Sequence, residues 1–263
     1  MEGKTMVTFD KVSKVFPGVK ALDDVTFDIL QGEIHAIVGE NGAGKSTLLN
    51  ILHGLTPEYD GNVEIDGERV TFRSAQDALQ YGIAKVHQEV NLIHELTVGQ
   101  NITLGYEPRK GLFMDYAEMH RQANEILDRL HCRFRSEDSM KDLSVGEMQM
   151  ISIAKALFHE AKIISLDEPT ASLSRSETNT LFKIIRELKQ NGITIIYVSH
   201  RLEEIFELAD RVTVLRDGRF IATHKVKEIN RAQLIQNMVG RDVSAFATRN
   251  RPRRFTDEVV LEV

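Results

Sequence analysis

The sequence contains no tryptophan, five prolines and a single cysteine among its 263 residues. With Cys132 alone, no internal disulfide can form, and a reducing compartment is expected. The ordinary reading of Cys132 is a small buried hydrophobe. No apolar run approaches the roughly 18–20 residues that a membrane-crossing helix requires. The opening Met1-Glu2-Gly3-Lys4 has neither the basic segment nor the apolar stretch of a secretory signal. These absences lead to the expectation of a soluble cytoplasmic protein, one that could dock on a membrane but does not span it. A basic excess is missing too: the formal net charge of −6 argues against a general nucleic-acid binder. What is present, 42% hydrophobic and 27% charged residues, is enough for a substantial core in one or two domains.

Short runs rich in valine and isoleucine at 33–38, 83–87, 163–166, 194–199 and 211–215 read as buried strands. Helical patterns lie between or after most of them, at 45–55, 118–130, 149–158, 177–190, 201–209 and 231–239. Strands alternating with helices predict an α/β fold with a mostly parallel sheet. Two stretches depart from the alternation. Segments 7–16, 25–29, 63–65 and 69–72 are short alternating strands with glycine turns, expected to form a small antiparallel layer. Residues from about 90 to 145 look mostly helical and form a candidate subdomain, opened by a capping box at Thr97-Val98-Gly99-Gln100. After Gly240 the apolar pattern stops, and residues 240–257 carry Arg241, Arg249, Arg251, Arg253 and Arg254. They read as a solvated linker or, alternatively, a basic docking patch. Residues 259–263 resume a strand pattern like that of 7–9, as if a second copy were beginning.

Gly39-Glu40-Asn41-Gly42-Ala43-Gly44-Lys45-Ser46, followed by Thr47, fits a phosphate-binding loop set between a strand and a helix. Its glycines let backbone N–H groups converge on phosphate oxygens, and the helix beginning near Lys45 aims its positive end at them. Lys45 is placed to reach the β- and γ-phosphates of a nucleoside triphosphate, and the Ser46 hydroxyl to bind Mg²⁺. The strand 163–166 ends in Asp167-Glu168. Beside a phosphate loop, Asp167 would help hold Mg²⁺ and Glu168 would accept the proton of an attacking water. The plainer alternative is that the two acids, followed by Pro169, only start a turn.

With these two motifs stand Gln88, the pentapeptide Leu143-Ser144-Val145-Gly146-Glu147, and His200 at the end of a strand. Along the chain the order is phosphate loop, Gln88, pentapeptide, acid pair and His200, and in that order the five resemble the ATP-binding cassette (ABC) ATPases, over roughly residues 5–240. The resemblance implies a phosphate-loop NTPase fold of the ABC type: a mostly parallel core sheet, an antiparallel β subdomain, and a helical signature subdomain at about 90–160. It implies that Ser144 and Gly146 contact the γ-phosphate of ATP bound to an opposite cassette. Gln88 would sense Mg²⁺ and the attacking water, His200 would contact the γ-phosphate, and Phe16 would stack on adenine. Each residue has a plainer reading: Ser144 as a helix N-cap, Gln88 as polar surface, His200 as structural, and Phe16-Pro17-Gly18 as a turn with a core aromatic.

Val145 and Glu147 stand where the family usually has glycine and glutamine, and Ser174 where it usually has aspartate. That aspartate communicates across the dimer, so the two ATP sites of an assembly are expected to be unequal. Together with Phe16–Leu22 and Ser199–Ile205, the departures resemble the first cassette of tandem carbohydrate-import ATPases of the ribose, galactose or xylose type. On that likeness, residues 1–240 are one cassette, 241–257 a basic linker, and 258–263 the first strand of a second cassette. The implied partners are that second cassette, on the same chain or as a dimer, membrane permease subunits contacted through 91–104, and indirectly a solute-binding protein. No nucleic acid is implied. Alternatives are an importer of a non-sugar solute and a soluble ABC-type ATPase acting in translation. DNA-repair relatives carry long coiled-coil insertions that this sequence lacks, and GTPases or kinases would leave Ser144, Gly146 and His200 unexplained.

Overall fold

A computed structural model describes residues 3–86 and 92–240. The chain opens with β1 (Thr5–Phe16), β2 (Val19–Leu30) and β3 (Ile34–Val38), followed by α1 (Lys45–Leu52). Next come β4 (Asp60–Ile65), β5 (Glu68–Val70), α2 (Ala75–Gln80) and β6 (Ile83–Val86). The middle holds α3 (Val98–Thr103), a hairpin of β7 (Arg109–Lys110) and β8 (Phe113–Met114), α4 (Tyr116–Arg129) and α5 (Val145–Phe158). The last third runs β9 (Ile163–Asp167), α6 (Arg175–Gln190), β10 (Thr194–Val198), α7 (Leu202–Leu208), β11 (Arg211–Arg216), β12 (Arg219–Lys225) and α8 (Arg231–Val239).

Six strands form the central sheet in the order β12-β11-β3-β10-β9-β6, and four form a second sheet in the order β2-β1-β4-β5. Strands β11, β3, β10, β9 and β6 are parallel, with β12 antiparallel at one edge. The pleat divides each central strand between two cores. On one face Ala36, Val38, Ile164, Leu166, Ile195 and Tyr197 pack with α4, α5 and α6. On the other Ile37, Ile163, Ile196 and Val198 pack with α1 and the antiparallel sheet. With both faces covered, the strands read as continuous apolar runs rather than alternating ones. Polar groups on these strands are satisfied locally: buried His35 lies 2.8 Å from Glu33 Oε1 and 2.7 Å from Thr213 Oγ1.

The α/β fold with a mostly parallel sheet and an antiparallel layer agrees with the expectation, but several boundaries do not. β1 and β2 are single strands of 12 residues each. Their pairing is broken by register shifts, and Lys11 (φ 52°) and Asp24 (φ 54°) adopt left-handed backbone there, so the alternation reads as fragments. α5 begins at Val145, not 149, because Ser144 caps it. α1 ends at Leu52, not 55, with Gly54 at φ 67° just beyond. The stretch expected to be mostly helical also contains the β7–β8 hairpin, and α2 and β12 were not anticipated. α2 is six residues, too short to show a period. β12 is an edge strand whose interior residues are only half-buried. Gln88 and the expected linker and trailing strand lie outside the described residues. Among the described residues no helix is long and apolar enough to cross a membrane.

Ile164 is fully buried on β9, between β10 and β6. Ile164→Ala is expected to cost about 2–5 kcal/mol of unfolding free energy in urea titration, from lost burial plus a residual cavity.

Candidate functional site

The phosphate loop occupies the turn from β3 to α1, at the C-terminal end of the parallel strands, where open α/β sheets bind ligands. Gly44, the N-cap of α1, has φ 97°. A Cβ on it would lie 2.7 Å from Ala21 O and 2.7 Å from Leu22 Cδ2. A Cβ on Gly39 would come within 2.2 Å of Leu215 O. These two glycines let the loop lie close against the start of β2 and the end of β11. Ala43 is buried beneath it, while Asn41, Gly42 and Ser46 are exposed and Thr47 is half-buried. α1 begins with no side-chain cap and no acid in its first turn, which leaves its N–H groups to an anion. Lys45 folds back over the loop, and its Nζ donates to Gly39 O at 2.8 Å and Glu40 O at 2.9 Å. Burial pulls the Lys45 ammonium below its ordinary value, and the charges of Glu168 and Asp167 oppose that shift.

The acid pair comes to the same edge because β9 lies two strands from β3 and parallel to it. Asp167 closes β9. Glu168 then turns into left-handed backbone (φ 48°) and donates its N–H to Val198 O at 2.8 Å, so the end of β9 is tied to the end of β10. His200 follows two residues later, and its Nδ1 lies 3.0 Å from Glu168 Oε1. Lys45, Asp167, Glu168 and His200 therefore form one group, on the edge where the acids also open a turn with Ala171 N donating to Glu168 O at 3.2 Å. Lys85 on β6 joins it, with Nζ 3.7 Å from Asp167 Oδ2 and 3.2 Å from Asn50 Oδ1. Lys85 was not singled out from the sequence, although a lone cation inside the run Ile83–Val86 was a visible signal.

The pentapeptide lies elsewhere. Ser144 is the N-cap of α5; its Oγ accepts from Glu147 N at 3.3 Å, and Glu147 Oε2 accepts from Ser144 N at 2.9 Å. The N-cap reading of Ser144 is thus correct as geometry, and Glu147 completes the box that a glutamine there would also complete. Ser174 caps α6 in the same way, with Glu177 Oε2 2.9 Å from Ser174 N. An aspartate would cap equally well, so at this position the charge is lost and the cap is kept. The two caps meet across a cavity of about 350 Å³ lined by Ser144, Gly146, Leu173 and Glu177. Among the described residues no hydrogen bond or ion pair joins Ser144 or Gly146 to Lys45, Asp167, Glu168 or His200.

Phe16 ends β1, is 40% exposed, and carries the Lys14 ammonium 5.3 Å from its ring centroid. It is a surface aromatic at a turn, not a core one. Burial pushes the half-buried Cys132 thiol up to about 11, so it stays protonated and unreactive at neutral pH.

A parallel sheet carrying a phosphate loop, an acid pair and a histidine on one edge defines a phosphate-loop nucleotide-binding domain. The family model described as ABC transporter matches residues 22–171, and the chain belongs to that family. It is 45% identical over 264 residues to the galactose/methyl galactoside import ATP-binding protein MglA of Sodalis glossinidius, covering 100% of this chain and 51% of that protein. It is 46% identical to the xylose import ATP-binding protein XylG of Thermoanaerobacter pseudethanolicus, covering 96% of this chain and 50% of that protein. The chain thus spans about half the length of these relatives. Among solved structures, the ADP conformation of MJ1267, an ATP-binding cassette of an ABC transporter, superposes with a TM-score of 0.77 at 26% identity, covering 90% of this chain and 99% of that one. The dimeric structure of MJ0796, a bacterial ABC transporter cassette, gives 0.72 at 28% identity, covering 84% and 99%.

Gly44→Ala and Gly42→Ala separate backbone strain from close contact in the loop. Gly42 (φ 82°) has nothing within 4 Å of a built Cβ, so its alanine is expected to cost about 1–2 kcal/mol from strain alone. Gly44→Ala should cost clearly more in thermal unfolding. Equal losses would show that the contacts with Ala21 and Leu22 carry no weight.

Proposed function

We propose that this chain is the ATP-hydrolysing cassette of a sugar importer, working at the cytoplasmic face of a membrane against permease subunits. The observation that carries the reading is the 3.0 Å approach of His200 to Glu168, on the sheet edge that also presents Lys45. The uncapped N-terminus of α1 and the loop N–H groups would hold the phosphates, with Lys45 leaving its loop carbonyls for the β- and γ-oxygens. Ser46 offers a hydroxyl and Asp167 a carboxylate, hard oxygen donors that suit Mg²⁺. A cation held by these oxygens would neutralise charge on the phosphates. Glu168 takes the proton of the attacking water as its oxygen bonds to the γ-phosphorus and the bond to ADP breaks. His200, held against Glu168, contacts the γ-phosphate. Phe16 would stack on adenine, and Gln88 would complete the water and Mg²⁺ contacts.

Ser144 and Gly146 sit apart from this group at the start of α5, Ser144 exposed and Gly146 buried against Glu177. That placement supports a signature serving nucleotide on a second cassette, on the same full-length chain or on another. Sugar as cargo is supported by the names of the relatives, which import galactose, methyl galactoside or xylose. Permease contact through 91–104 and an upstream solute-binding protein belong to the same reading. So does the division into a cassette over 1–240, a linker over 241–257 and the start of another cassette at 258–263.

Glu168→Gln should retain Mg-ATP binding and lower the hydrolysis rate by roughly two orders of magnitude or more. Turnover at the parental rate in that variant would remove Glu168 as the base. A second measurement is the concentration dependence of turnover. The chain by itself should be mostly monomeric, with specific activity rising steeply as its concentration is raised. Fast turnover independent of concentration would mean that each site is complete without a partner's signature.

A further inference from the structure

Glu204, on α7, is a carboxylate only 7% exposed, and neither the phosphate loop nor the acid pair touches it. Three hydroxyls donate to it: Thr170 Oγ1 at 2.6 Å, Tyr197 OH at 2.7 Å and Ser199 Oγ at 2.9 Å. The Arg201 guanidinium stands 3.5 Å away. Burial and the facing carboxylate push the Tyr197 phenol up, so it stays a donor. Ser199 precedes His200, and the same Ser199 Oγ accepts from Arg201 N at 3.0 Å, so the chain is pinned on both sides of the histidine. Thr170 stands two residues beyond Glu168, in the turn closed by Ala171 N donating to Glu168 O at 3.2 Å. Glu168 itself holds left-handed backbone, which persists only where the surroundings over-determine it.

We infer that Glu204 is the positioning residue of the site: by gripping Thr170 and Ser199 together, its carboxylate fixes Glu168 and His200 at their working separation. The inference rests on the reading of Glu168 as base and His200 as its neighbour. A buried carboxylate with three donors holds the two loops in one arrangement. Removing it leaves three hydroxyls without their shared acceptor and frees the two loops to move apart. A shift of about 1 Å at a reacting pair is enough to lower a rate by roughly a hundredfold while ligand contacts survive.

The test measures ATP turnover, Mg-ATP dissociation constant, melting temperature and the His200 ring resonances in ¹H–¹⁵N spectra for Glu204→Ala, Glu204→Gln, Thr170→Val and the double variant Thr170→Val/Glu204→Ala. Glu204→Ala should lower kcat by roughly tenfold or more with the dissociation constant changed by less than about threefold. Glu204→Gln, which keeps the volume and one acceptor, should recover part of the rate. Thr170→Val should lower kcat on its own and add nothing in the Glu204→Ala background. The His200 resonances should move in Glu204→Ala and Thr170→Val in the same direction as in Glu168→Gln. Parental kcat in Glu204→Ala, full multiplication of the two single losses, or unmoved His200 resonances would overturn the inference. If Glu204→Ala does not fold, Thr170→Val alone decides, through kcat and the His200 resonances. Should Glu168→Gln turn over at the parental rate while the His200 resonances still respond to Glu204, the reading of Glu168 as base fails and the grip of Glu204 on the two loops stands.

Discussion

The parallel pairing of β9 with β10 is the constraint on which the rest of the molecule depends. Both strands are buried on both faces, so their register cannot slip without moving apolar side chains from one core into the other. Ile164 and Tyr197 belong to one core and Ile163 and Val198 to the other. Once that register is set, the ends of the two strands are adjacent, and Glu168 and His200 are brought together by chain geometry before either side chain interacts. The N–H of Glu168 donating to Val198 O closes the junction. The chemistry at the edge follows from a decision made by hydrophobic side chains in the interior.

Helix starts show the same economy. α3, α5, α6 and α8 each begin with a reciprocal capping box, so a side chain of the helix itself satisfies part of its first turn. α1 does not. In α5 the cap is Ser144, one of the two residues proposed to face nucleotide on a partner, so one serine both starts the helix and presents its hydroxyl at an exposed end. Glu177 caps α6 from within and lies against Gly146, the only residue type that leaves room for that carboxylate.

Much of this was readable from the residues. The strands at 33–38, 163–166, 194–199 and 211–215 emerged because double-sided burial gives unbroken apolar runs. Lys45, Asp167, Glu168 and His200 could be placed on one edge because each follows such a run. Less readable were features without a periodic signature. β2 was seen only in part because Lys20, Asp23 and Asp24 interrupt it at a bulge. α5 starts at Val145 rather than 149: Val145, Gly146 and Glu147 carry no apolar helical period of their own, so the boundary follows only from the capping reading of Ser144 and not from periodicity. Lys85 and Glu204 were missed for a related reason: a single charged residue in an apolar or helical segment becomes meaningful only when its neighbours in space are known.

The bare start of α1 has a consequence for how long the protein survives. Six of the described α-helices begin under a side-chain cap, whereas no side chain accepts from the first turn of α1, and Lys45 bonds only carbonyls of the preceding loop. An anion that settles there supplies what the sequence withholds, and by mass action it favours the folded chain by about 2.7 kcal/mol at a hundred times its dissociation constant. The lifetime of the polypeptide against proteases is thereby linked to the abundance of whatever phosphate compound it takes up, so that a starved cell would hold a more perishable copy.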